Sequence, residues 1–104
     1  MSENNGLPGA RQIREMLGLG SPEVARKVKK HATMITRVEL GEVRCYMDLA
    51  EALAKLYCCS VDELRMGIQD EVRLADIEIS YLETRLDEAR IRKAALAEQE
   101  KGVA

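Results

Sequence analysis

Between Asp70 and Gln99 the chain passes through thirty residues without a proline or a glycine. No other stretch restricts the fold so tightly. Strands usually run about 3–10 residues, while the Leu, Ala, Glu, Arg and Lys that fill this stretch are strong helix formers. The pattern predicts one helix over 70–99, about 45 Å long at 1.5 Å per residue. Val72, Ala75, Ile79, Leu82, Leu86, Ala89, Lys93 and Leu96 recur along it at alternating steps of three and four, a heptad seam of the kind that pairs helices. Leu74, Ile77 and Tyr81 add a neighbouring apolar face in its first half. So wide an arc suits two partners. The start of the helix is expected to pack on its own chain, and Val72, Ala75, Ile79, Leu82, Leu86 and Ala89 are expected to form a homodimer contact. The charges beside the seam suit an antiparallel pair. A helix folded back on a monomeric bundle is the competing reading, and residues 100–104 are expected to fray.

The preceding residues are cut into short pieces. A polar, flexible leader is expected over 1–9, ending at Pro8-Gly9. Ile13 and Leu17 predict a helix over Ala10–Leu17, closed by Gly18 and Gly20. Met47–Tyr57 carries Leu49, Ala50, Leu53, Leu56 and Tyr57 at helical spacing. Ser60 with Glu63 has the spacing of a capping box before a short helix, Val61–Met66. With three tyrosines and no Trp or Phe, the interior of this all-α domain falls to Leu, Ile, Val, Met and Ala.

Several function classes are excluded as expectations. No segment approaches the roughly 20 apolar residues of a membrane helix, and no basic start precedes an apolar run as in a signal peptide. Cys45, Cys58 and Cys59 form no CxxC and read as structural thiols in a reducing cytoplasm. One histidine without ligand spacing argues against zinc. No nucleophile–base or metal signature points to an enzyme, and no cofactor is expected.

Charge is unevenly spread. Residues 1–41 hold seven Lys/Arg against four Asp/Glu, a net of +3, whereas residues 42–70 carry −3 and residues 71–104 carry −2. The basic part centres on LGSPEVARKVKKHATMITRVELG, residues 19–41. Ser21 is a capping residue, Pro22 suits a first turn and Glu23 complements the helix dipole. After a corner at Lys29-Lys30-His31, Ile35 and Val38 face one way, with Ala32, Thr33, Thr36 and Arg37 on a mostly polar face that Gly41 ends. Two short helices across about three residues suggest a helix-turn-helix whose second helix can enter a major groove.

Taken together, these pieces resemble the lambda-repressor-like DNA-binding domains of the Cro/C1 or Xre type, from about Ile13 to Leu64. The family's mid-helix alanine is matched by Ala25. Its apolar pair and Glu-x-Gly ending are matched by Ile35, Val38 and Glu39-Leu40-Gly41. The next helices are matched by Leu53-Ala54-Lys55 and Ser60-Val61-Asp62-Glu63-Leu64. The usual Gln, turn Gly, apolar residue and capping Ser fall instead at Ser21, Lys29, Lys30 and His31, and Cys58-Cys59 stands for a Gly-Val. A non-Gly residue in the turn is tolerable if its φ is ordinary. The resemblance implies a compact five-helix domain over residues 10–67, followed by the long helix, and a cytoplasmic, nucleoid-associated regulator of the small-repressor kind. Ala32, Thr33, Thr36 and Arg37 would then read bases of double-stranded DNA. Ser21, Arg26, Lys27, Lys29, Lys30 and His31 would contact phosphates, with Arg11 and Arg14 extending the positive face. Glu39 and Glu42 are expected to tie down the following loop. The alternative is a protein-interaction module, an antitoxin, antirepressor or phage adaptor, on the same scaffold.

Overall fold

One terminator, used repeatedly, cuts the first part of the chain into short helices. In the computed structural model, which describes residues 6–103 and the side chains of residues 6–100, these are α1 (Pro8–Met16), α2 (Ser21–Val28), α3 (Ala32–Leu40), α4 (Met47–Tyr57) and α5 (Val61–Met66), followed by the long α6 (Glu71–Val103). No strand occurs among the described residues. The first four helices end at a left-handed residue: Gly18, Lys29, Gly41 and Cys58, with φ of 71°, 60°, 81° and 60°. In each case the next N–H reaches back five residues to a carbonyl: Leu19 to Arg14 at 3.0 Å, Lys30 to Ala25 at 2.8 Å, Glu42 to Arg37 at 2.9 Å and Cys59 to Ala54 at 3.0 Å. This is the Schellman closure, which satisfies carbonyls that the helix leaves open.

The starts differ more from expectation. The N-cap of α2 is Gly20 rather than Ser21, and the Glu23 carboxylate accepts from the Gly20 N–H at 3.4 Å. Ser60 and Glu63 form the expected capping box, with bonds of 3.1 and 2.9 Å. The leader expected over 1–9 is shorter than that: α1 begins at Pro8, whose fixed φ suits a first turn. Leu7 is buried, and its N–H donates to the Glu39 carbonyl at 3.1 Å. Gly9 is required where it stands, since a Cβ there would collide with the Glu63 carbonyl of α5. Residues 1–5 lie outside the described residues. At the other end α6 runs past Gln99 to Val103, through most of the tail expected to fray; Gly102 alone opposes it, by about 1 kcal/mol. Ala104 lies outside the described residues.

Ile13, Val24, Ile35, Val38, Leu53, Tyr57, Leu64 and Ile77 are fully buried and draw all six helices into one core. Through this core runs an ion pair. The Arg14 guanidinium of α1 donates through Nε and Nη2 to both carboxylate oxygens of Glu39 in α3, at 2.7 and 3.0 Å, and through Nη1 to the Leu19 carbonyl at 3.0 Å. The Arg14 and Glu39 side chains are only 16% and 3% exposed. Glu39 is therefore not a loop tether beyond the helix, nor does Arg14 extend a positive surface. The Tyr57 hydroxyl is buried and has no hydrogen-bond partner among the described residues. Burial, then the charge of Glu39, pushes its ionisation up.

Two further clamps aim α6. The Gln12 amide of α1 holds both the N–H and the carbonyl of Ile68, each at 2.8 Å. Arg73 in the first turn of α6 donates to both oxygens of Glu63 in α5, at 2.6 and 2.8 Å. Ile77 and Tyr81 are then buried, with half-buried Leu74 packed beside them. Beyond Tyr81 the helix projects freely, and the molecule measures 66 × 31 × 21 Å. No helix among the described residues is long and apolar enough to cross a membrane.

Removing one member of the buried pair leaves an uncompensated charge, so Glu39→Ala is expected to lower unfolding free energy by about 3–5 kcal/mol in urea titrations. Arg14→Met with Glu39→Leu together should be less damaging than Glu39→Ala alone. The surface clamp has a pH signature. Arg73, the Ser60 amide and the Ser60 hydroxyl hold the Glu63 carboxyl at about 2, below its ordinary 4.5. A depressed carboxyl stabilises the fold above its unfolded pKa and loses that contribution as pH falls. Stability should therefore drop between about pH 4.5 and 2, and the drop should be shallower in Glu63→Gln when melting temperature is followed against pH.

Candidate nucleic-acid interface

The joint between α2 and α3 owes its shape to the buried face beneath it. Val24 and Ala25 on α2 and Ile35 and Val38 on α3 are buried, and the two helices are the most closely packed pair in the molecule. With those side chains inward, the helical period turns the intervening residues out. Arg26 and Lys27 at the end of α2, Lys29, Lys30 and His31 in the turn, and Thr33, Thr36 and Arg37 along α3 are all exposed. Ala32 and Ser21 are half-buried. The residues singled out for bases and for phosphates are thus accessible to solvent on α2, the turn and α3, Ser21 and Ala32 in part.

The charge of this stretch has one sign. Residues 24–38 contain Arg26, Lys27, Lys29, Lys30 and Arg37 and no Asp or Glu. The first carboxylate after them, Glu39, is turned inward on Arg14. A cationic face without internal counter-charge attracts polyanions and orients their approach. Arg11, expected to extend it, lies 3.3 Å from Glu15 on the same helix.

Two details refine the surface. The Ser21 and Thr36 hydroxyls are 3.2 Å apart and share a hydrogen bond, so the start of α2 is tied to the middle of α3. His31 is the N-cap of α3, with extended backbone and no side-chain capping bond. The turn residue Lys29 does not meet the condition of an ordinary φ: its value is 60°. The Schellman closure demands a left-handed residue, and a side chain there costs roughly 1–2 kcal/mol relative to glycine.

Beside this face lies a feature that charge counting over residues 19–41 missed. A cleft of about 400 Å³ opens between the turn and the α3–α4 connection, lined by Lys30, Met34, Val43, Arg44, Tyr46, Asp48 and Leu49. The Arg44 guanidinium lies 5.7 Å from the centre of the exposed Tyr46 ring, within cation–π range. The cleft's signal in the sequence is the Arg44-Cys45-Tyr46 run between α3 and α4. Burial pushes the Cys59 thiol up to about 12 and raises that of Cys45, which disfavours the reactive thiolate. Among the described residues no His, Cys, Asp and Glu side chains gather in a set that could hold a metal ion. No family model, curated protein or solved structure matches the chain.

Because Lys29 occupies a conformation that glycine adopts freely, Lys29→Gly is expected to raise unfolding free energy by about 1 kcal/mol, read as a higher melting temperature. Lys27→Gly, inside α2, should lower it by a similar amount.

Proposed function

We propose that the chain is a non-enzymatic, sequence-specific double-stranded DNA-binding regulator of the small-repressor, Cro/C1 type, acting as a homodimer. One observation carries this reading: the exposed residues from Arg26 to Arg37, across the end of α2, the turn and α3, include five cations and no carboxylate, the acid of α3, Glu39, being withdrawn into the core and that of α2, Glu23, lying half-buried at the helix start. A helix with its side chains is about 10–12 Å across, the width of the B-DNA major groove.

In this reading α3 lies in the groove and α2 crosses above the backbone. Arg26, Lys27, Lys29 and Lys30, with His31 and Ser21, meet phosphates and fix position without reading sequence. Arg37 offers a planar fork for the two acceptors of a guanine. Thr33 presents a hydroxyl or a methyl. Thr36 has its hydroxyl engaged by Ser21, which leaves its methyl for the methyl group of a thymine. Ala32, half-buried at the start of α3, permits close approach. Arg44, across the cleft, adds a phosphate contact from the α3–α4 connection. Two copies would engage successive grooves about 34–36 Å apart, and occupancy would block or recruit the transcription machinery.

A second reading is favoured by a different observation. Leu40, Tyr46 and Met47 are at least half exposed around the α3–α4 connection, which suits a protein-interaction module such as an antitoxin, antirepressor or phage adaptor. Selection of bound sites from a random duplex library, repeated across salt concentrations, separates the two. A regulator enriches one motif and loses affinity steeply with salt; a module that binds no duplex but holds a protein in a stable complex sinks the DNA reading. Against the selected site, Arg37→Ala should cost about 1–3 kcal/mol and relax preference at one base pair. Lys27→Ala and Lys30→Ala should weaken all duplexes alike and reduce the salt slope by about one unit each. Unchanged base preference in Arg37→Ala would remove α3 as the reading element.

A further inference from the structure

Two apolar faces of α6 are used differently. Ile77 and Tyr81 turn onto the bundle and are buried. Val72, Ile79, Leu82 and Leu86 remain 70%, 54%, 55% and 50% exposed. At about 100° per residue, this second stripe lies about 165° round the helix from the first. The bundle therefore stands behind α6 and leaves the stripe uncovered. The exit of α6 is also fixed, by the Gln12 amide on Ile68 and the Arg73–Glu63 pair.

We propose that this stripe closes on the same stripe of a second copy running antiparallel, in the register that sets Ile79 against Leu82 of that copy. The pairing goes beyond the DNA reading and does not depend on it. Charge decides the direction. In a parallel pair Glu71 would face Asp76, Glu78 would face Glu83 and Arg85 would face Arg90, all like-charged, and Lys93 would meet its own copy within the seam. Reversal in this register brings Glu71 to Arg92 and Glu78 to Arg85, both oppositely charged, and sets Asp76 between Glu83 and Arg90 of the second copy. Arg85, which donates to the Tyr81 hydroxyl at 3.0 Å within one chain, is already ordered beside the seam.

Packing decides the same way. The antiparallel register sets Ala75 against Leu86 and Val72 against Ala89, small against large, whereas a parallel pair stacks each alanine on itself and leaves voids. The four exposed seam residues offer roughly 100 Å² each, or ~800 Å² over two copies. The stems of the flanking charged side chains bring this to ~1,200 Å², the lower end of specific interfaces. The shared length, residues 71–90, spans about 29 Å, so the two bundles lie towards opposite ends and on opposite flanks of the pair.

The test uses the full chain. Sedimentation equilibrium should show a dimer at tens of micromolar, and Leu82→Glu, at an exposed position, should weaken it by more than ~100-fold through an unpaired buried charge with unchanged helical circular dichroism. Glu78→Arg gives a sign: it should weaken an antiparallel dimer several-fold by facing Arg85, and would tighten a parallel one by facing Glu83. Direction is read independently by nitroxide distances after Cys45→Ser, Cys58→Gly and Cys59→Ala. Labels at Glu98→Cys should lie about 50 Å apart and labels at Ser80→Cys within about 25 Å. A monomer, a Glu98 distance near 20 Å, or tighter association of Glu78→Arg overturns the proposal.

Discussion

The interior ion pair between Arg14 and Glu39 decides what the exterior of this molecule presents. Two charges withdrawn from water are tolerable only when each satisfies the other geometrically. Here the guanidinium fork meets both carboxylate oxygens and spends its remaining reach on the Leu19 carbonyl. The bond spans α1 to α3, and the backbone of the same Glu39 receives the Leu7 N–H. It therefore fastens the start of the chain and the exposed helix α3 together. Its second effect is electrostatic. A solvent-facing acid within α3 would oppose Arg37 and the turn lysines; buried on Arg14, it leaves their face with one sign. Stability and surface potential thus rest on one contact.

The long helix obeys a similar division between what is fixed and what is offered. Its first turns are committed by Arg73, Ile77 and Tyr81 to the bundle, which gives α6 a defined direction. Past Tyr81 every residue up to Glu100 is exposed except half-buried Ala89. Nothing intramolecular there rewards a period of three and four, yet Leu82, Leu86 and Leu96 keep it. An exposed leucine singly placed is unremarked on any surface; a sustained stripe of them on a projecting helix is a surface awaiting cover.

Legibility in the sequence followed the range of the interaction. The helices Met47–Tyr57 and Val61–Met66 could be read residue for residue, because capping and terminating signals act over three to five positions. The inward set Val24, Ala25, Ile35 and Val38 was equally readable from periodicity. The Arg14–Glu39 pair was not, since twenty-five positions separate its members and each residue alone resembles a surface charge. Leu7 was lost in a polar leader for the same reason: its burial depends on α3, not on its neighbours. The Arg44–Tyr46 wall of the cleft escaped because a connection carries no period from which to infer a facing direction.

The two non-glycine terminators show how local geometry and surface chemistry compete. Lys29 and Cys58 hold the same left-handed conformation, with φ of 60° in each, and close their helices with the same reach-back bond. Both incur strain that Gly18 and Gly41 avoid. At Cys58 the following Cys59 is half-buried against the core, so the closure gains the apolar contact that often accompanies this motif. At Lys29 the following residue is Lys30, exposed and charged, and that apolar contact is absent. The turn between α2 and α3 is held by the Ser21–Thr36 hydroxyl pair and by the helix packing beneath it. What the two lysines add is charge at the corner where α3 begins, beside helix-start N–H groups that already favour an anion.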